Sequence, residues 1–362
     1  MSKAGLSREG CLKRQRRLQD KLKEQGLSAA LLTEPAHVMY LCNYWGRQLY
    51  PAAALVPAEG PVSLSVPTSN HSELVADQIH TYETSRLSTM IDDLPTSSLQ
   101  PLLEAIRSFK RIGCDVPTRP WLMQGVELVD LVPTLLSLRR AKDDDEVAML
   151  RLAIQGCEAA YAEARRVLKP GVSELTVFAR MQAAAVEAVG EPIGEMGNDF
   201  QAGTPGGPPR QRPTQAGELM PLDVSVTVRG YSCDLCRTFA VDGQPSSAQR
   251  DAAQKVAQAL EHVERTARAG TSCKELYQQV HDMLDGYRGW AFFHHLGHGI
   301  GLFPHEAPRL NPNWDDVLQA GDVFTAEPGL YADELRGGVR IEQNYLVTEN
   351  GLERLSHFPI DL

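Results

Sequence analysis

Two aspartates lie eleven residues apart in a stretch that otherwise reads as buried β-structure. Residues 222–241, LDVSVTVRGYSCDLCRTFAV, carry Asp223 and Asp234 among Val, Leu, Phe and Tyr. A carboxylate in such a strand is costly to bury unless it is paired or bound to a cation. The stretch divides at Arg229-Gly230, and a two-residue turn there sets Val228 opposite Tyr231. In that register Ser225 faces Asp234 and Asp223 faces Cys236, so both carboxylates share one face. As diagonal neighbours their Cβ atoms stand roughly 7 Å apart, a span that two carboxylates can close around one or two cations.

Three later segments add polar residues in apolar surroundings. Residues 292–308, FFHHLGHGIGLFPHEAP, hold His294, His295, His298 and His305. One histidine in a core is usually structural. Four so close together, between glycines that let backbone approach closely, argue for metal binding or proton transfer. Glu327 precedes Pro328, which biases it towards extended backbone at a strand end. In Val339-Arg340-Ile341-Glu342-Gln343, alternation puts Arg340 and Glu342 on one face. Asp223, Asp234, Glu327 and Glu342 with one or more histidines make a hard, oxygen-rich donor set. Such a set favours Mn²⁺, or Co²⁺, Zn²⁺ or Fe²⁺, over a thiolate-type zinc site. Four carboxylates over-neutralise one divalent ion, whereas two ions bridged by carboxylates and a hydroxide balance the charge.

The elements that must position these residues read as two layouts. Residues 8–25 form a helix with Leu18 and Leu22 on one face and Gly26 as its stop. Residues 28–32, 52–56 and 62–66 are short apolar strands, another strand ends at 113–116, and helices are expected over 72–79 and 99–109. Residues 40–46 read as an aromatic-rich loop. This is an α/β layer with no chemistry of its own. At residues 139–146, RRAKDDDE, the pattern changes. Asp143, Asp144 and Asp145 suit the start of a helix, whose apolar positions continue to Tyr161. A helix capped by Ser173 and stopped at Gly190 follows, then a Gly/Pro-rich loop over 203–213, then the aspartate hairpin. Ser246 and Ser272 open two further helices. Strands are expected at 291–296, 323–327 and 339–347. Two helices then strands, twice, is a duplication of layout. The boundary falls between domains 1–138 and 139–362.

Composition excludes several functions. A formal net charge of −10 argues against general nucleic-acid or anionic-membrane binding. The basic run Lys13-Arg14-Gln15-Arg16-Arg17 reads as a solvated helix face. No apolar run approaches the roughly 18 residues of a membrane span, and residues 1–10 show no secretory pattern. Seven scattered cysteines suit reduced thiols in a cytoplasm. Cys233 and Cys236, three apart on a strand, fall on opposite faces and make a poor metal pair.

Taken together, Asp223 with Asp234, HxxxHGIGLxxHExP at 294–308, TxEPGxY at 325–331 and GVRIE at 338–342 resemble the pita-bread metallopeptidases. That family includes methionine aminopeptidase, aminopeptidase P, prolidase and the metal-free creatinase. The resemblance implies an α+β pita-bread C-terminal domain behind a smaller α/β creatinase/prolidase-like N-terminal domain. It implies Asp223, Asp234, His298, Glu327 and Glu342 as ligands of two divalent ions. It further implies His305 as stabiliser of the tetrahedral intermediate, His294 as a substrate contact, and Arg340 as support for the ligands and the substrate end. Glu327 would also carry the proton from water to the leaving nitrogen. The implied function is Xaa-Pro peptide hydrolysis, of dipeptidase or aminopeptidase type, through a metal-bridged hydroxide. A homodimer is implied as well, with Tyr44 and Trp45 near a neighbour's site. One departure stands out: prolidase and aminopeptidase P carry a histidine about seventeen residues before the first aspartate, where this chain has Gly206. His295, standing where the family usually has glycine, is the nearest extra imidazole. The departure keeps two alternatives open, a creatinase-like hydrolase of a small non-peptide amide and a non-catalytic binding protein on this scaffold.

Overall fold

The computed structural model describes residues 5–46, 49–68, 73–116 and 119–362. The chain divides into two compact units, Met1–Arg139 and Arg140–Leu362. No helix among the described residues is long and apolar enough to cross a membrane.

The first unit is built on a six-stranded mixed sheet. Its central strand, Ala29–Leu32, pairs antiparallel with Ala53–Pro57 and parallel with Arg111–Cys114. Ser63–Pro67 and Gln78–Tyr82 extend one side, and Glu127–Asp130 the other. All four residues of Ala29–Leu32 are buried, which suits a strand covered on both faces. Gln78–Tyr82 corrects the helix expected over 72–79, of which Ser72 lies outside the described residues. Asp77 is the reason: its carboxylate accepts from Val62 N at 2.8 Å, and its own N–H donates to Val62 O, docking the chain beside the sheet. The aromatic loop is corrected too, since Tyr40 to Cys42 close the helix Pro35–Cys42, which ends at Asn43 in a left-handed conformation.

The basic run is a solvated face only at Lys13 and Arg16, which are exposed. Arg14 and Gln15 are buried in the helix Arg8–Glu24. Helical spacing explains it, because Arg14 lies on the stripe that carries Cys11, Leu18 and Leu22 into the core. Arg14 Nε donates to Tyr40 O at 2.7 Å, and Gln15 Nε2 donates to Leu41 O and Val75 O, both at 2.9 Å. A buried donor–acceptor set of this kind is costly to break. Arg14→Ala is therefore expected to destabilise the protein by about 2–4 kcal/mol, read as a lower urea midpoint.

The second unit repeats helix, helix and strands. Asp144–Val167 and Glu174–Val189 precede the aspartate hairpin, and Ser247–Thr266 and Cys273–Leu284 precede the later strands. Asp143 and Glu146 form a capping box at the first helix, and Ser246 and Gln249 form one at the third. The apolar faces of the latter helix pair, including Val256, Leu260, Val263, Leu276 and Val280, pack with Phe292, Phe324, Tyr345 and Val347 in one core.

The hairpin has the expected register. Val228 pairs with Tyr231, and Asp223 pairs with Cys236. Arg229 and Gly230 both have positive φ, 47° and 86°, the backbone of a two-residue turn matched to strand twist. The later strands are cut differently from expectation. The strand expected at 291–296 is instead Gly297–Gly299. The single run expected at 339–347 is two strands, Gly337–Arg340 and Gln343–Thr348, which pair in different sheets. Glu342 sits at the break between them.

Candidate metal centre

Each acidic side chain comes from a place where the backbone is tied down. Asp223 lies in Leu219–Val224, and Asp234 leads directly into Leu235–Ala240. Glu327 follows Val323–Ala326, its N–H donating to Leu296 O at 2.8 Å; Glu342 N–H donates to Cys236 O at 3.0 Å. His298 is the middle residue of Gly297–Gly299. A Cβ on Gly297 would stand 1.9 Å from Thr325 O, and one on Gly299 would stand 2.1 Å from Ala307 O. Only glycine on both sides lets this strand slot between its neighbours and deliver the imidazole.

These residues converge. Ligand atoms of Asp223, Asp234 and Glu342 lie within 4.8 Å of one another, as do those of His298, Glu327 and Glu342, and those of Asp234, His298 and His305. Asp234 and His298 are buried, and Glu342 is 1% exposed. His298 Nδ1 lies 3.1 Å from Gly299 O, which fixes the proton there and leaves Nε2 as a lone pair. That lone pair faces Asp234 at 3.7 Å and Glu327 at 3.6 Å. Asp234 Oδ1 and Glu342 Oε1 are buried with no hydrogen-bond partner. Acceptors turned on one another without donors are unfavourable unless a cation lies among them. The donor set therefore fits a hard divalent metal.

The electrostatics point the same way. Burial, then the neighbouring carboxylates led by Glu342, pushes the Asp234 carboxyl well above its ordinary range. Burial and Glu327 do the same to Glu342. Burial and Asp223 raise Glu327 from 4.5 to about 8. Burial holds His298 down at about 3, with His305 as the next cause. Carboxyls that resist ionising in the bare fold are those a cation would most stabilise.

A cavity of about 770 Å³ opens onto the cluster. The five ligand candidates line it together with His294, His295, His305 and Arg340, so every site residue singled out from sequence meets there. Arg340 Nη2 donates to Asp223 Oδ2 at 2.7 Å and to Asp199 Oδ2 at 2.5 Å, while Nη1 donates to Tyr331 OH at 3.2 Å. Tyr331 OH lies 2.8 Å from His294 Nε2, and His294 Nδ1 lies 2.8 Å from His295 O. Both ring nitrogens of His294 are thus engaged inside the protein. His305 stacks on His298 with centroids 3.7 Å apart. His295 Nδ1 lies 3.3 Å from Glu327 Oε1.

Two participants escaped the sequence reading. Tyr331 was visible only as a motif letter. Asp199 lies in an aperiodic Gly/Pro-rich stretch, bridged to Asp223 through Asp223 N–H to Asp199 O at 3.0 Å. Gly206 does not line the cavity. A Cβ there would stand 2.4 Å from Asp199 Oδ2, so the Asp199 carboxylate fills the space in front of it.

Comparison with known proteins places this architecture. Residues 148–349 match the model of metallopeptidase family M24, and residues 14–139 match the creatinase/prolidase N-terminal domain. The chain belongs to metallopeptidase family M24, the class of metal-dependent peptidases with the pita-bread fold. It is 28% identical over 359 residues to an uncharacterized peptidase of Bacillus subtilis, covering 93% of this chain and 96% of that one. It is 31% identical over 223 residues to an Xaa-Pro dipeptidase of Pyrococcus furiosus, covering 60% and 64%. The solved Xaa-Pro dipeptidase from Bacillus anthracis superposes with a TM-score of 0.78 at 25% identity, covering 97% and 99%.

Proposed function

We propose that this chain hydrolyses the amide bond between an N-terminal residue and a following proline, using two divalent ions held by Asp223, Asp234, His298, Glu327 and Glu342. The observation that carries the reading is the inward-facing donor set, with bare His298 Nε2 and partnerless Asp234 and Glu342 oxygens. Its oxygen-rich chemistry suits Mn²⁺ first, with Co²⁺, Zn²⁺ or Fe²⁺ able to substitute. The matching Xaa-Pro dipeptidases of Pyrococcus furiosus and Bacillus anthracis support the substrate class. Bound ions would supply an activated water and a Lewis acid for the scissile carbonyl.

The protein's own groups carry the rest. Glu327 accepts a proton from the attacking water and delivers it to the leaving nitrogen as the C–N bond breaks. His305, at the exposed edge of the cluster, donates to the carbonyl oxygen as negative charge develops. Arg340 holds Asp223 in place, and Tyr331 in turn fixes the His294 ring. The seven cysteines, all of them buried, support a reducing, cytoplasmic setting.

Chelation followed by metal return tests the reading. EDTA treatment is expected to abolish Xaa-Pro cleavage, and Mn²⁺ or Co²⁺ to restore it, with elemental analysis showing two equivalents bound. Full turnover by protein verified as metal-free would overturn it.

A further inference from the structure

The cavity that opens on the cluster has a charge pattern that bears on which substrates it accepts. Its walls carry Glu195, Asp199, Asp223, Asp234, Glu327 and Glu342. Among the described residues, Arg340 is the one lysine or arginine that lines it. A substrate carboxylate is held best by a guanidinium with free N–H groups able to grip both oxygens. Arg340 is largely committed: Nη2 spans Asp199 and Asp223 and Nη1 reaches Tyr331, while Nε, which has no partner, is buried. The remaining imidazoles are placed at the reacting end or engaged elsewhere. His294 is bonded through both nitrogens, His295 lies beside Glu327, and His305 stacks on His298.

Asp199 completes this arrangement. Its Oδ1 accepts from Gly207 N–H at 2.7 Å, and its Oδ2 accepts from Arg340 Nη2, the same nitrogen that bonds Asp223. The chain at Gly206 closes over the carboxylate so tightly that no side chain fits without displacing it. With 21% of its side chain exposed, Asp199 presents negative charge to the cavity where a cationic or donor side chain from position 206 would otherwise reach.

Resting on the peptidase reading above, we propose that Asp199 is a specificity-determining residue that disfavours substrates with a free carboxylate on the leaving proline. The site then takes peptides that continue beyond the proline, or amide-capped ones, in preference to Xaa-Pro dipeptides. Like-charge juxtaposition penalises the wrong substrate, while a chain continuing as an amide brings no charge to the wall.

The test uses metal-loaded full-length protein and three substrates sharing one Xaa-Pro bond: the dipeptide, its C-terminal amide, and a longer peptide. Amide and longer peptide are expected to exceed the dipeptide in kcat/KM by about tenfold or more, the scale of one unfavourable charge contact in a partly screened site. Asp199→Asn, which removes the negative charge at the cavity wall and weakens the hold on Arg340 Nη2, is expected to shrink that ratio mainly by lowering KM for the dipeptide. Equal kcat/KM for dipeptide and amide in the wild type would overturn the proposal, as would an unchanged ratio in a folded Asp199→Asn protein. Should that variant misfold, the wild-type ratio decides alone. If no substrate is cleaved although metal is bound, the peptidase reading fails. Calorimetry with proline and prolinamide then still reads the charge preference: tighter prolinamide binding upholds it, and equal binding overturns it.

Discussion

Replacing Asp234 with asparagine is expected to cut Xaa-Pro hydrolysis by at least about a thousandfold, because it removes an anionic ligand candidate that two of the ligand triads share. Asn keeps the shape and can offer one neutral oxygen, so the loss isolates charge. The backbone at this position is held independently of the side chain, with Asp234 O accepting from Asn344 Nδ2 and Cys236 paired to Asp223. The same change is expected to leave the metal-free protein at least as stable as the wild type. In the bare fold Asp234 is buried against Glu342, Asp223 and Glu327, and an uncharged amide relieves that repulsion. The three readouts should therefore separate: bound metal by elemental analysis falls, kcat/KM collapses, and the Tm measured in chelator holds or rises. A variant with full metal content and wild-type turnover would remove Asp234 from the site.

The parts of this molecule that were legible in its sequence share a physical cause. Asp223 and Asp234 were readable because a charged residue in an apolar, period-two run is energetically anomalous, and Arg229-Gly230 marks the turn that sets their register. His298 and Glu327 were readable because glycines and Pro328 punctuate their strands, and Glu342 because it alternates with Arg340 among apolar residues. Arg14 belongs to a run of like charges whose composition suggests a solvated face. Its helical phase with Leu18 and Leu22 was the better guide. The strand at Gln78–Tyr82 depends on Asp77 reaching Val62, a tertiary contact that no local pattern announces.

Asp199 shows a deeper limit. Its stretch has no periodicity, and its significance comes from a pair of distant partners, Arg340 and the backbone of Gly207. The anomaly that sequence could register was the glycine at position 206 and not the carboxylate filling the space before it. Asp199 and Asp223 are joined both through backbone and through one guanidinium, so the cavity wall and the candidate metal cluster are mechanically one structure. A change that alters substrate preference at Asp199 is therefore also felt, through Arg340, at Asp223.

The pH dependence of stability is expected to change sign with metal. In chelator, the protein should lose stability as pH rises from about 4.5 to about 8. Glu327 has its pKa raised from 4.5 to about 8 in the fold, so below the ordinary carboxyl value both folded and unfolded chains hold the proton. Above it the unfolded chain ionises freely while the folded site must keep the proton or bear a buried charge, and stability is lost as pH climbs through the folded value. A carboxyl carried that far is worth on the order of 5 kcal/mol, and Asp234 and Glu342 shift in the same direction. Divalent metal reverses the trend, since it binds the ionised carboxylates and must displace their protons. Calorimetric Tm curves in EDTA and in Mn²⁺ should thus lie close together near pH 5 and spread apart towards pH 8. Isothermal titration of Mn²⁺ in two buffers of different ionisation enthalpy should show net proton release at pH 7. Parallel Tm curves, or metal uptake without proton release, would mean that these buried carboxyls do not face the metal.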